Sequence, residues 1–271
     1  MGMLNSLLIT GAGVLALGFS AWTSAPPEPA PAQPEPAPVF VELFTSEGCS
    51  SCPPADELVS ELAKVYKDKP VHFAAFHVDY WDSIGWPDRF ASASFTARQR
   101  AYASAYKARS VYTPQVIVGG TIEFVGSDRA RAIKQIDLAL ARGPHAKLEL
   151  TLTPPPKVDV QLPPDREVEV QAKVTWSRPR PQSPVRVLTL LVEDGLVSKV
   201  TRGENAGRTL THDRVVRASS STEWPGDDQL RLSIKPPKDI HRDKARVIVV
   251  VQEGSDQSPG PVLGSASLKL D

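Results

Sequence analysis

The chain has 271 residues, 41% of them hydrophobic, with lysine plus arginine equal to aspartate plus glutamate at 31 each. That length allows one large domain or two ordinary ones, and the apolar content suffices for their cores. The charge balance excludes a strong long-range field for nucleic acid, anionic lipid or a highly charged substrate, so partners must be chosen by local chemistry.

Residues 1–25 contain an apolar run from Leu7 to Trp22. Its sixteen residues would span about 24 Å as a helix, short of a bilayer core of roughly 30 Å. A secretory signal peptide ending near Thr23-Ser24-Ala25 is expected, with an uncleaved N-terminal membrane anchor as the alternative. Either address makes the remainder exported, periplasmic or secreted. Residues 26–38, "PPEPAPAQPEPAP", lack the apolar groups for a core and read as a polyproline spacer.

From 39 to 145 the pattern is strand "VFVELFT", helix "PADELVSELAKVYK" with Leu58, Val59, Leu62, Val65 and Tyr66 at helical spacing, and strand "VHFAAFHV". A polar aromatic stretch, "DYWDSIGWPDRF", and a helix around 93–107 follow. "VYTPQVIVGGTIEFVG" reads as two strands joined at Gly119-Gly120. A last helix is expected with Ser127 or Asp128 as its cap and Gly143 just past its end. The order is β-α-β-α-β-β-α. From 146 to 271 the apolar residues alternate, as Leu148, Leu150 and Leu152 do, in about eight short runs separated by proline, glycine and aspartate. That pattern predicts an all-β sandwich-like second domain.

Cys49 and Cys52, the only cysteines, follow the first strand. An exported chain meets an oxidising compartment, where a disulfide persists. A bridge between residues three apart constrains little of the unfolded chain, so stability alone explains it poorly. The first two strands are expected to be parallel and the strand after Pro114 antiparallel to them. Cys49, Cys52, Asp79, Trp81, Thr113 and Pro114 then gather at one sheet edge, where open α/β sheets bind ligands.

CxxC after the first strand, this element order and the Thr-Pro start of "TPQVIVGG" resemble the thioredoxin superfamily. "VELFTSEGCSSCPPAD", "VDYWD", "FTARQRAYA", "VYTPQ" and "GENAGRTLTHDRVVR" resemble more closely an exported bacterial thioredoxin-like family known as a domain of unknown function. The resemblance implies a thioredoxin-like fold over 39–145, Cys49 as attacking thiol, Cys52 as resolving thiol, and Pro114 as a cis-proline beside which Thr113 offers its backbone to substrate. A helix N-terminus stabilises a thiolate, and Cys49, which precedes the helix while Cys52 is carried into its first turn, is expected to be the more exposed thiol. Pro53 and Pro54 shift the expected helix start to Pro53, with Ser51 or Cys52 as its cap. Glu47 would oppose a thiolate on Cys49, and Asp56 could accept a proton from Cys52.

The function expected is thiol–disulfide exchange with protein thiols or disulfides, needing no cofactor. Two other readings stay open. One is a redox-silent binding module carrying an inert disulfide. The other is copper handling by the two thiolates and His77, although CxxC plus one histidine is an incomplete metal site, and no metal residues are assigned. Beyond 145 there is no cysteine, and His212 and His241 lie far apart in sequence. The second half is therefore expected to support or recruit, with "GENAGRTLTHDRVVR" a turn and a strand whose Leu210, His212, Arg214 and Val216 share one face.

Overall fold

A computed structural model describes residues 35–153, 163 and 165–270. The expected signal or anchor, and most of the proline spacer, lie outside the described residues. β1 (Val39–Thr45) and β2 (Val71–His77) are parallel, in register from Val39 opposite Val71 to Thr45 opposite His77. α1 (Pro53–Val65) forms the crossover, with Cys52 as its N-cap residue. Proline suits the first helical position because its missing N–H would be unpaired there anyway. Cys52 itself is helical, at φ −79° and ψ −39°, despite the restriction Pro53 imposes on its neighbour. Its carbonyl accepts the N–H groups of Ala55 at 2.8 Å and Asp56 at 3.1 Å, which hold that turn.

A 3₁₀ turn (Asp79–Ile84) and α2 (Ala93–Ala105) lead to β3 (Gln115–Val118), antiparallel to β1, and β4 (Ile122–Val125). The β3–β4 hairpin turns on Gly119 and Gly120, at φ 60° and 71°, a conformation that side chains resist. α3 (Arg129–Leu140) starts where the Asp128 carboxylate accepts the Arg131 N–H at 3.0 Å.

Nine strands follow: β5 (Ala146–Leu152), β6 (Val168–Trp176), β7 (Val185–Glu193), β8 (Leu196–Lys199), β9 (Thr209–His212), β10 (Val215–Glu223), β11 (Gln229–Ile234), β12 (Ala245–Ser255) and β13 (Ser258–Lys269). The run expected as one strand from 209 to 217 breaks at Arg214, whose φ is 61°. β9 then pairs with β8, and β10 with β7 and β2, so the expected common face of Leu210, His212, Arg214 and Val216 is divided between two sheets.

The main sheet is mixed and eight-stranded, in the order β13-β12-β7-β10-β2-β1-β3-β4, and Val215 of β10 pairs with Ala75 of β2. The boundary expected near 145 thus falls inside a sheet, and Pro34–Asp271 form one compact unit. One face of β1–β4 packs on α1 and α3 through Leu43, Leu62, Phe73 and Ile136. The other face puts Phe40, Phe44 and Phe76 against Phe95 and Tyr102 of α2 and against Leu190 of β7 and Ile248 of β12. Val187, Leu191, Val247 and Val249, from alternate positions of β7 and β12, pack with the smaller sheet β11-β6-β5. Burial on both faces accounts for the runs "LTLLV", whose one polar residue Thr189 is itself buried, and "VIVVV", which do not alternate. A buried polar tie joins the halves: Glu42 accepts from Arg98 Nε and from Tyr102 Oη, both at 2.5 Å, and Gln252 of β12 donates to Tyr102 Oη at 2.7 Å. This gives the "FTARQRAYA" stretch a structural job.

Candidate functional site around the Cys49–Cys52 disulfide

β1 ends at Thr45, and Ser46 closes a tight turn, its Oγ accepting the Gly48 N–H at 3.1 Å and its carbonyl the Cys49 N–H at 3.2 Å. Cys49 and Cys52 form a disulfide with their Cα atoms 5.4 Å apart, the reach of one turn at the start of α1. Gly48 is needed for close approach, since a Cβ there would lie 3.1 Å from Trp81 Cβ. Trp81 in turn donates from Nε1 to Thr113 Oγ1 at 2.8 Å. The Thr113–Pro114 bond is cis. Gln99 holds the chain on both sides of it, donating from Nε2 to the Tyr112 carbonyl at 2.7 Å and to Gln115 Oε1 at 3.0 Å. Pro114 Cβ and Ala55 Cβ both border Gly126, which puts the proline beside the first turn of α1. Asp79 is engaged elsewhere: its carboxylate accepts the Thr96 hydroxyl at 2.6 Å, tying the 3₁₀ turn to α2.

Around the residues that flank the disulfide lie five buried ionisable side chains from both halves of the chain: Glu47, Asp56, His77, Asp88 and His212. Asp88 Oδ2 meets His77 Nδ1 at 2.6 Å and accepts the Glu47 N–H at 2.8 Å. Glu47 accepts from Trp86 Nε1 at 2.7 Å, and its other oxygen stands 3.3 Å from His212 Nε2. Asp56 accepts from Thr45 Oγ1 at 3.2 Å and lies 4.0 Å from His212 Nδ1. The two imidazoles meet edge to face at 5.0 Å, with Phe90 closing the box.

These neighbours divide the carboxyls into two kinds. Burial pushes Glu47 and Asp88 upward, but the neighbouring His212 and Trp86 in one case and the His77 charge in the other outweigh it, and both are held below the usual carboxylate range. Burial prevails at Asp56, which is raised despite His212, His77 and Thr45. His77 is raised because Asp88 overcomes the cost of burying the imidazolium. A carboxyl that favours its proton therefore sits four residues beyond Cys52, flanked by carboxylates that favour charge.

The β8–β9 connection reaches over this site. Asn205, fully buried, donates from Nδ2 to the Glu47 carbonyl at 2.8 Å and to the Cys49 carbonyl at 3.0 Å. Glu204 accepts the Ser50 N–H at 2.9 Å. Gly203 packs against Trp86, where its missing Cβ would lie 3.2 Å from the indole Cβ. Here one expectation is corrected. Cys49 is not the more exposed thiol position: both cysteines are 0% exposed, because this loop and Trp81 enclose the turn while Ser50 and Ser51 stay at the surface. The second half, expected to support or recruit, contributes His212, Asn205 and Glu204 to the site itself.

A family model described as "Protein of unknown function (DUF1223)" matches residues 40–252. The chain belongs to the DUF1223 family. The matched span runs across position 145, as does the site. No curated protein matches significantly. Among solved structures, protein AGR_C_4864 from Agrobacterium tumefaciens is 25% identical, with a TM-score of 0.61, 88% of this chain and 96% of that chain being covered. HBP35 of Porphyromonas gingivalis gives a TM-score of 0.62 at 14% identity, covering 88% of this chain and 76% of its own. That second likeness concerns the fold alone.

In this DUF1223 chain the structure brings together Glu47, Cys49, Cys52, Asp56, Trp81, Thr113 and Pro114 and leaves Asp79 as a tie to α2. Sequence reasoning misses Trp86, Asp88, Glu204, Asn205 and His212 as site residues. The one signal that could find three of them is that "GENAGRTLTHDRVVR" carries the family resemblance without an apolar pattern to explain it. Among the described residues no three histidine, cysteine or acidic side chains are placed to hold a metal ion. No described helix is long and apolar enough to cross a membrane.

Proposed function

We propose that the chain is an exported thiol–disulfide exchange protein, built on a thioredoxin-like scaffold and acting on protein thiols or disulfides through Cys49 and Cys52. The observation that carries this reading is a disulfide at the first turn of α1 whose flanking residues, Glu47 and Asp56, belong to a cluster of five buried ionisable groups. An inert staple has no use for such a costly cluster. In the oxidising direction a substrate thiolate attacks Cys49 Sγ. The S–S bond breaks, a mixed disulfide forms, and Cys52 leaves as a thiolate that takes the Asp56 proton. A second substrate thiolate then attacks the substrate sulfur of the mixed disulfide, forming the substrate disulfide and releasing Cys49 as a thiolate. Trp81 and the Thr113–Pro114 strand form the rim along which the substrate backbone lies. An N-terminal anchor, if retained, keeps this chemistry at the membrane surface.

The complete burial of both cysteines favours a second reading, a redox-silent binding module. One experiment separates them. Reduced Cys52→Ser protein, offered oxidised glutathione or a disulfide-bonded peptide, is expected to accumulate a mixed disulfide on Cys49, because the resolving thiol is gone. Cys49→Ser should form far less. If neither variant, or both equally, gives the adduct, the exchange reading fails and the binding module stands.

A further inference from the structure

A second polar site lies away from the disulfide, between the turn after α1, the beginning of β2 and the adjoining parts of β12 and β13. It is a pocket of about 420 Å³ lined by Lys67, Lys69, Arg214, Arg246 and Lys269. That size suits a small ligand. Three carboxylates answer these five cations: Asp68, which is exposed at the rim 3.9 Å from Lys67, Asp194 beneath, and Asp213 beside Arg214. Asp194 is shared, with Arg214 Nη1 at 3.5 Å and Arg246 Nη2 at 3.4 Å. Three carboxylates do not neutralise five cations, so positive charge is left over.

The hydrogen-bond pattern points the same way. Nε of Arg214 and Nε of Arg246 are both buried, and neither has a hydrogen-bond partner. Buried donors are normally satisfied, and a guanidinium exists to donate in pairs. Arg214 is also held in the left-handed region at φ 61°, uncommon for a long side chain. Its N–H donates to Asp194 at 2.8 Å and its carbonyl accepts from Ala75 at 2.8 Å, so the fold imposes this backbone rather than tolerating a loose turn. Such a position is where strain and function coincide. Burial and then Arg246 work against the charge on Arg214, with Asp194 and Asp213 opposing them. His72 at the pocket wall is pushed down to about 4, mainly by burial, and so stands as a neutral imidazole among the cations.

We propose that this pocket binds a phosphate-type dianion, a phosphomonoester either free or as a lipid headgroup, gripped by Arg214 and Arg246 and screened by the rim lysines. The excess of cations over carboxylates fits a double negative charge, and planar guanidinium forks match phosphate oxygens. This site does not depend on whether the disulfide is active. It also separates the neighbours His212 and Arg214 by role: the histidine belongs to the disulfide cluster, the arginine to the anion pocket.

The test is calorimetric titration of the full chain at low salt with inorganic phosphate and glycerol phosphate, and co-sedimentation with phosphatidylcholine vesicles with or without phosphatidic acid. Saturable binding of one equivalent is expected, weakened at least tenfold in Arg246→Gln. The double variant Lys69→Gln/Lys269→Gln, altered only at exposed positions, should show weakening as well, and keeps the test decisive if Arg246→Gln does not fold. Variant-sensitive binding of the soluble phosphates identifies a free ligand, while variant-sensitive binding confined to phosphatidic acid vesicles identifies a headgroup. No binding to any of these probes, or binding that the variants leave unchanged, overturns the proposal.

Discussion

Replacing Asp88 with alanine is expected to lower folding stability by about 3–5 kcal/mol, the usual cost of removing one partner from a buried ion pair. The single carboxylate holds His77 Nδ1 at 2.6 Å and accepts the N–H groups of Glu47 at 2.8 Å and Phe90 at 2.9 Å. Alanine leaves all three without a partner, in a site closed to water. Urea denaturation read at a constant slope measures the loss, and a change below about 1 kcal/mol, the range of a surface pair, would contradict the buried geometry. The pH dependence follows from the same pair. Asp88 is lowered in the fold, so its contribution is present above the unfolded carboxylate pKa and lost as pH falls through the lowered value. His77 is raised, so its contribution is complete below the unfolded value of about 6.5 and lost as pH rises through the raised one. Asp56 is also raised and adds stability only on the acid side, where it carries its proton. Asp88→Ala should remove the alkaline loss attributable to His77.

The second large effect concerns access. Asn205→Ala is expected to speed reduction of the disulfide by dithiothreitol about 5- to 150-fold, because removing a buried donor from two carbonyls costs roughly 1–3 kcal/mol. Those carbonyls belong to Glu47 and Cys49, and the Asn205 amide is the clasp between the β8–β9 loop and the cysteine turn. Weakening it shifts the loop toward an open form in which Cys49 Sγ can be attacked. Glu204→Gln should act in the same direction more weakly, since the Ser50 N–H is at the surface and an amide oxygen still accepts it. Equal reduction rates in wild type and Asn205→Ala would show that the loop does not gate the disulfide.

Much of the first half is legible in the sequence because its signals are local. "VFVELFT" and "VHFAAFH" have strand length and composition, Asp128 sits where a helix needs a cap, and Gly119-Gly120 admits the two positive φ values of the hairpin. The meeting of Cys49, Trp81 and Thr113 follows from strand direction alone. What escapes is long-range. Nothing local says that Val215 pairs with Ala75, yet that one contact, together with the two-sided burial of β7 and β12, makes a continuous sheet across position 145. The break at Asp213-Arg214 is hidden because arginine is not a residue that signals a left-handed turn. His212 looks like a strand histidine until the fold brings it 3.3 Å from Glu47, 165 positions away. Burial of the cysteines cannot be read from CxxC, since the covering loop lies about 150 residues downstream.

The central claim is that the Cys49–Cys52 pair is a working dithiol–disulfide couple whose proton balance is set by the cluster around its flanking residues. The most direct measurement is the reduction potential of the full chain, by equilibration with glutathione and dithiothreitol buffers across pH. The account predicts a reversible two-electron couple within the range of known exchange proteins, about −270 to −120 mV, whose pH dependence changes when Asp56 is replaced by asparagine. A pair that stays oxidised below about −300 mV, as structural disulfides do, or a potential indifferent to Asp56, would contradict it.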